Sequence, residues 1–241
     1  MEEENLKKLL SESNNIVFFG GAGVSTESNI PDFRSPKGIY KTKSKYGRSP
    51  EEMLGYTFFK NHPEEFYKFY KKDMIFKEAQ PNSAHLALAK LEKEGKLKAI
   101  VTQNIDGLHQ KAGNKEVLEL HGSVHRNYCM ECGERYDLDY VMEGSIVPKC
   151  EKCGGIVRPD VVLYEEGLDM DVVKEAIRYI SLADVLIIGG TSLAVYPAAG
   201  LIDYYQGNKL VLINKSKTPY DSRANLVIYD SIGKVLGEAV K

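Results

Sequence analysis

The chain has 241 residues, enough for one large domain or a large domain with a small insert, and its 43% hydrophobic content supports a real core. A charged fraction of 27% and a formal net charge of −2 give no electrostatic call for nucleic acid or an anionic membrane. The opening Met1-Glu2-Glu3-Glu4-Asn5 lacks the basic start and apolar run of a secretory signal, and no stretch approaches the ~18 apolar residues of a membrane span, so a cytoplasmic location is expected.

In chain order, an amphipathic helix is predicted over Glu3–Glu12, then a buried strand at Ile16–Phe19. A helix at Ser83–Glu94 leads to a strand at Ala99–Thr102. A third strand is read at Val161–Tyr164, followed by helix Asp169–Ile180, strand Val185–Ile188 and helix Pro197–Tyr205. Strands at Leu210–Ile213 and Leu226–Tyr229 precede a last helix at Ile232–Val240. Alternation of short apolar strands with helices predicts an α/β fold with a Rossmann-like open parallel sheet. Two stretches break the alternation: residues 35–80, a loop and helices rich in Tyr, Phe and Lys, and residues 125–158, which hold all four cysteines. Both read as insertions forming a smaller domain, leaving residues 1–34, 81–124 and 159–241 as the main domain.

Chemistry clusters where strands end. Gly20-Gly21-Ala22-Gly23-Val24-Ser25 follows the first strand, and Gly-Ala-Gly lets backbone approach a pyrophosphate. Thr26 replaces the third glycine of the usual fingerprint and no clear acid follows ~20 positions on, so this turn alone fits a plain βα connection equally well. Gln103, Asn104 and Asp106 follow the second strand, where they could hydrogen-bond an amide or sugar or simply cap a helix. Ile30-Pro31-Asp32-Phe33-Arg34 is another dense polar group, equally readable as a salt-bridged turn. His121, beside Gly122 after the run Val117–Leu120, suits a general base near neutral pH or a structural histidine. Gly189-Gly190-Thr191-Ser192 and Asn214 end two later strands in the same way.

Cys129-x-x-Cys132 and Cys150-x-x-Cys153 are separated by 17 residues, the spacing of a four-cysteine zinc site. Gly133 and Gly154 follow the second cysteine of each pair, which lets the chain curl around the thiolates. Four thiolates leave no coordination position for water, so zinc there is structural.

Taken in order, these motifs resemble the sirtuin family, most nearly its compact bacterial and archaeal members, from about Asn15 to Gly233. The resemblance implies an NAD-dependent protein-lysine deacetylase that consumes NAD, frees lysine and nicotinamide, and makes O-acetyl-ADP-ribose from acetylated lysine peptides. It implies that Gly21, Ala22, Gly23, Asp32, Phe33, Arg34 and Gln103 line the NAD site. Ile30, Asn104 and Asp106 would form the nicotinamide pocket, Asn104 with a catalytic part. Gly190, Thr191, Ser192, Asn214, Ser231 and Ile232 would hold the adenosine half. His121 would be the general base, and Val162 and Val195 would clamp the peptide. A mono-ADP-ribosyltransferase on the same pocket, or a non-catalytic NAD sensor, stays open as an alternative, and direct nucleic-acid binding is not expected.

Two departures from the family pattern stand out. Asn29 replaces a glycine, and asparagine is among the residues that best tolerate positive φ. Tyr164-Glu165-Glu166 replaces Phe-Gly-Glu, adding a charged side chain near the peptide cleft. Members that prefer succinyl or malonyl lysine carry a Tyr-x-x-Arg pair on one helical face. Tyr67 fits that tyrosine here, but Tyr70 stands in the arginine's place, so both are expected near the acyl group and acidic acyl chains are expected to bind poorly.

Overall fold

The computed structural model describes residues 2–33, 38–39 and 46–241. Arg34 lies outside them. The main sheet has six strands: β1 (Ile16–Gly20), β2 (Leu97–Thr102), β3 (Val117–Glu119), β7 (Val185–Gly189), β8 (Leu210–Ile213) and β9 (Leu226–Ile228). A three-stranded antiparallel sheet holds β4 (Gly122–Cys129), β5 (Arg135–Tyr136) and β6 (Val157–Val161).

The main sheet runs β3-β2-β1-β7-β8-β9 with every pairing parallel. That is the doubly wound dinucleotide-binding order, whose chain direction across the sheet reverses between β1 and β7. All five residues of β1 are buried because helices cover both faces, and the alternation of its side chains divides them between two cores. Ile16 and Phe18 pack with helices Glu2–Glu12, Ser83–Lys93 and Ile232–Ala239. Val17 and Phe19 pack with helix Met170–Leu182 and the 3-10 segment Ala198–Tyr204. Each fully buried side chain of this size contributes roughly 1.5–3 kcal/mol of burial free energy.

Three expectations are corrected. Val161–Tyr164 is not a strand of the parallel sheet: residues 157–161 pair antiparallel with β4, and the sixth core strand is instead Val117–Glu119. The segment read as helix Pro197–Tyr205 is 3-10 from Ala198 to Tyr204. The expected boundaries at 124/125 and 158/159 both fall within paired strands, β4 and β6. The described parts of the two inserted stretches share one hydrophobic cluster. Short helices Pro50–Met53, Tyr56–Asn61 and Pro63–Phe69 share a core with the zinc-module residues Cys129, Leu138, Cys150 and Val157.

Candidate active site between the two sheets

A cavity of about 1150 Å³ opens along the carboxyl ends of the main-sheet strands and continues under the small domain. Such a crevice at the switch point is where doubly wound sheets bind ligands. Its floor is made by the turns after β1 and β7, which interlock. Gly23 N donates to Gly190 O at 2.7 Å, and Gly190 N donates to Ile213 O at 3.1 Å. Gly190 holds φ +59°, and a Cβ on Gly23 would sit 2.7 Å from Gly190 Cα. Neither position takes a side chain without moving the other turn.

Across the floor runs a chain of polar contacts anchored on Ser25. Its Oγ donates to Asp106 Oδ2 at 2.6 Å and accepts from Asn104 Nδ2 at 3.0 Å. Asp106 Oδ1 also accepts at 2.9 Å from the N–H of Leu108, the first residue of helix Leu108–Ala112, whose N-cap is Gly107. The reading of Asn104 or Asp106 as the helix N-cap is not met, because Gly107 holds that position; Asp106 bonds the first helical N–H from outside and faces the cavity. Ser25 sits within the glycine motif, yet it was not singled out; a hydroxyl five residues after Gly20 becomes conspicuous only once Asp106 is known to lie beside it.

Gln103 links the two halves of the site, donating from Nε2 to Thr191 Oγ1 at 3.2 Å. The Gln103 backbone carbonyl oxygen lies 2.9 Å from His121 Nδ1. A carbonyl only accepts, so this contact places the imidazole proton on Nδ1 and leaves Nε2 with the lone pair. Burial lowers the His121 pKa below its ordinary value, opposed by the Gln103 carbonyl. His121 is therefore held neutral, as a base must be.

Of the residues expected at the NAD site, Gly21, Ala22, Gly23, Asp32 and Phe33 line the cavity, and so does Gln103. Ile30, Asn104 and Asp106 line it as well, and so do Gly190, Thr191, Ser192, Asn214 and Ile232. Val162 and Val195 also face it. Two expectations are not met. Ser231 does not line the cavity; it precedes helix Ile232–Ala239, its N–H donating to Asp230 Oδ1 at 2.7 Å. Tyr67 does not line it either: its fully buried hydroxyl donates to Val157 O at 2.5 Å. Tyr70 does line the cavity, as do Leu54, Met74, Ile75 and Leu138, an apolar wall that no sequence motif announces.

Asn29 adopts φ 62°, the left-handed conformation expected where the family has glycine. Glu165, at the second departure, also has positive φ, 77°. Its carboxylate is tied by Thr57 N at 2.9 Å and Thr57 Oγ1 at 2.6 Å, which lowers its pKa and offsets the strain. The neighbouring segment is sewn to the small domain by backbone bonds from Tyr164 N to Leu54 O and from Tyr56 N to Tyr164 O, both 3.0 Å.

At the far end of the small domain, the Sγ atoms of Cys129, Cys132, Cys150 and Cys153 all lie within 4.8 Å of one another, with no disulfide among them. Thiolates at ~2.3 Å from one tetrahedral ion have about this mutual spacing. Gly133 and Gly154 close each knuckle at φ +72° and +76°, their N–H groups donating to the carbonyls of Cys129 and Cys150 at 3.0 and 2.8 Å. The four cysteines are positioned to bind zinc.

A doubly wound sheet, a dinucleotide-sized crevice at its switch point and a four-cysteine module define an NAD-using α/β enzyme. The family model described as "Sir2 family" matches residues 21–197, and the chain belongs to that family. It is 68% identical to an NAD-dependent protein deacetylase of Clostridium acetobutylicum, covering 96% of this chain and 95% of that protein. It is 66% identical to one from Clostridium tetani, covering 99% and 97%. A Sir2 structure with a deacetylated p53 peptide and 3′-O-acetyl ADP ribose superposes with a TM-score of 0.89 at 42% identity, covering 100% of this chain and 97% of the other. A second, with p53 peptide and NAD+, gives 0.87 at 41% identity, covering 99% and 97%.

Proposed function

We propose that this chain is an NAD-dependent protein-lysine deacetylase, transferring the acetyl group of a lysine side chain to ADP-ribose and releasing nicotinamide. The observation that carries the reading is the placement of neutral His121 on the same cavity as the Ser25–Asn104–Asp106 cluster and the interlocked glycine turns. NAD supplies the electrophilic ribose carbon and the leaving group; the protein positions the reactants and excludes competing water. His121 Nε2 takes the proton of a ribose hydroxyl. Asn104 and Asp106, fixed through Ser25, hold the nicotinamide end with Ile30, while Gly21, Ala22 and Gly23 bring backbone to the phosphates alongside Phe33 and, outside the described residues, Arg34. Thr191, Ser192 and Asn214 take the adenosine half. The acetyl-lysine peptide enters over Val162 and Val195, between main domain and small domain.

The four cysteines would hold zinc, which would close the small domain and take no part in the chemistry. Among the described residues the wall around Tyr70 is apolar and carries no arginine, which favours acetyl over succinyl lysine. The paired thiols without disulfides support a cytoplasmic location; among the described residues no helix is long and apolar enough to cross a membrane. Incubation with NAD and an acetyl-lysine peptide, reading nicotinamide and peptide mass together, tests the function. Loss of the acetyl mass with matching nicotinamide supports it; a peptide that gains an ADP-ribosyl mass and keeps its acetyl group would show a transferase of another kind.

A further inference from the structure

The strand that leads away from His121 carries a second histidine to the same cavity. Strand β4 pairs Ser123 with Asp160 of β6 and Asn127 with Pro159, so the ladder breaks and leaves Val124, His125 and Arg126 without a partner on β6. A break of this kind bends the strand and re-aims its side chains. Val124 N donates instead to Ile105 O at 3.0 Å, and the His125 N–H turns back to Ser123 Oγ at 3.3 Å. Arg126 reaches Glu119 and Asp160 at 2.6 and 2.9 Å. His125 lines the cavity, with Nε2 3.0 Å from the backbone oxygen of Asp106. A carbonyl only accepts, so Nε2 carries a proton in this contact, whether the imidazole is neutral or protonated.

The contact is close on both sides. Gly107 holds φ +72°, and a Cβ there would lie 2.7 Å from His125 Cδ2 and 2.8 Å from Nε2, so the imidazole packs on a backbone that only glycine leaves bare. Among the described residues no other donor reaches the Asp106 carbonyl. The two ends of Asp106 are thus held from opposite directions: Ser25, after β1, bonds its carboxylate, and His125, on β4, bonds its main chain. Asn104, whose Nδ2 donates to the same Ser25 Oγ, belongs to the same turn.

We propose that His125 is a positioning residue for the nicotinamide end of the site, fixing the Asp106–Gly107 peptide so that Asn104 and Asp106 meet the carboxamide in one orientation. The inference rests on the assignment of Asp106 to the nicotinamide pocket. Steady-state kinetics with nicotinamide as product inhibitor, on the wild type, H125A and H125Q, tests it. His125 is exposed, so its replacement leaves the buried cores intact. H125A should raise the nicotinamide inhibition constant and the KM for NAD by about three- to tenfold, the range of one lost hydrogen bond. The KM for the acetyl-lysine peptide and the thermal midpoint should stay near wild type. H125Q, whose amide N–H can replace Nε2–H, should bring both raised constants back to within about twofold of wild type. A nicotinamide constant unmoved in H125A would overturn the inference. So would an H125A in which the peptide KM rises equally and the midpoint falls, or an H125Q no better than H125A. Wild-type protein that shows no NAD-dependent deacetylation would overturn the proposed function, and this inference with it.

Discussion

Arg158 is the residue whose loss most directly connects stability with peptide binding. Its side chain is 8% exposed and grips Glu166 bidentately, Nη1 to Oε1 at 2.7 Å and Nη2 to Oε2 at 2.9 Å. It also donates from Nε to Pro159 O at 3.1 Å and from Nη2 to Val161 O at 3.0 Å, while its guanidinium lies over the rings of Tyr56, Phe59 and Tyr128. Glu166 in turn accepts from Leu163 N at 2.8 Å, so the ion pair fixes the segment 161–166, which lines the cavity on the side where we propose that the peptide enters. Substituting Arg158→Met removes all four donated bonds and leaves a largely buried carboxylate holding only Leu163 N. Removing one partner of a buried pair costs about 3–5 kcal/mol, a large share of the roughly 5–15 kcal/mol that holds an ordinary domain together. Urea denaturation should therefore show a midpoint far below wild type. The KM for an acetyl-lysine peptide should rise more than the KM for NAD, because the loosened segment touches the peptide side. In R158M/E166M no charge is stranded, so most of the stability should return. A loss under about 1 kcal/mol for R158M, or a double variant no better than the single one, would refute the reasoning.

Further outcomes follow from the same structure. His121→Ala should cut deacetylation by about 10²-fold or more while NAD still binds by calorimetry; near-wild-type turnover would remove His121 as the base. Because burial holds the His121 pKa below 6.5, the wild-type rate should be flat above that pH and decline below it as the base protonates; a decline beginning above pH 7 would contradict its neutral state. Elemental analysis should find about one zinc per chain, and chelation should unfold the small domain; fully active zinc-free protein would contradict this. His85 and His109 pack with ring centroids 4.7 Å apart, and burial depresses their pKa values to about 4 and about 3. Both stay neutral in the fold while the unfolded chain takes protons near pH 6.5. Their contribution is thus fully present above that pH and is lost as pH falls toward 4, by roughly 1.4 kcal/mol per pH unit for each histidine. His109→Phe should flatten the acid limb of a stability-versus-pH curve, and an unchanged slope would show that the histidines do not set it.

What was legible in the sequence was chemistry placed at strand ends. The turns at Gly21–Gly23 and Gly190–Ser192 lie apart in sequence; each is visible locally as a strand running into glycine, and only their order with the other motifs separates a ligand site from a plain βα connection. Sheet membership was harder to read. Val161–Tyr164 is as apolar as a core strand, but pairing partners decide which sheet a strand joins, and its neighbours in space are β4 and the backbone at Leu54. Val117–Glu119 is only three residues long, too short for periodicity to find. The pair Tyr67 and Tyr70 shows a third limit. Residues three apart on a helix lie side by side, and the Tyr67 and Tyr70 rings do pack with centroids 6.3 Å apart. Spacing does not say which of the two reaches a cavity: the Tyr67 hydroxyl is turned to Val157 O, while Tyr70 lines the cavity.

The central claim is that the acetyl group leaves lysine for ADP-ribose and not for water. A peptide carrying a ¹⁴C-acetyl lysine, incubated with the protein and NAD and resolved before spontaneous hydrolysis advances, tests it most directly. The account predicts that the label appears in a nucleotide with the mass of O-acetyl-ADP-ribose, in step with nicotinamide release. Label found from the outset as free acetate, with NAD intact, would contradict it.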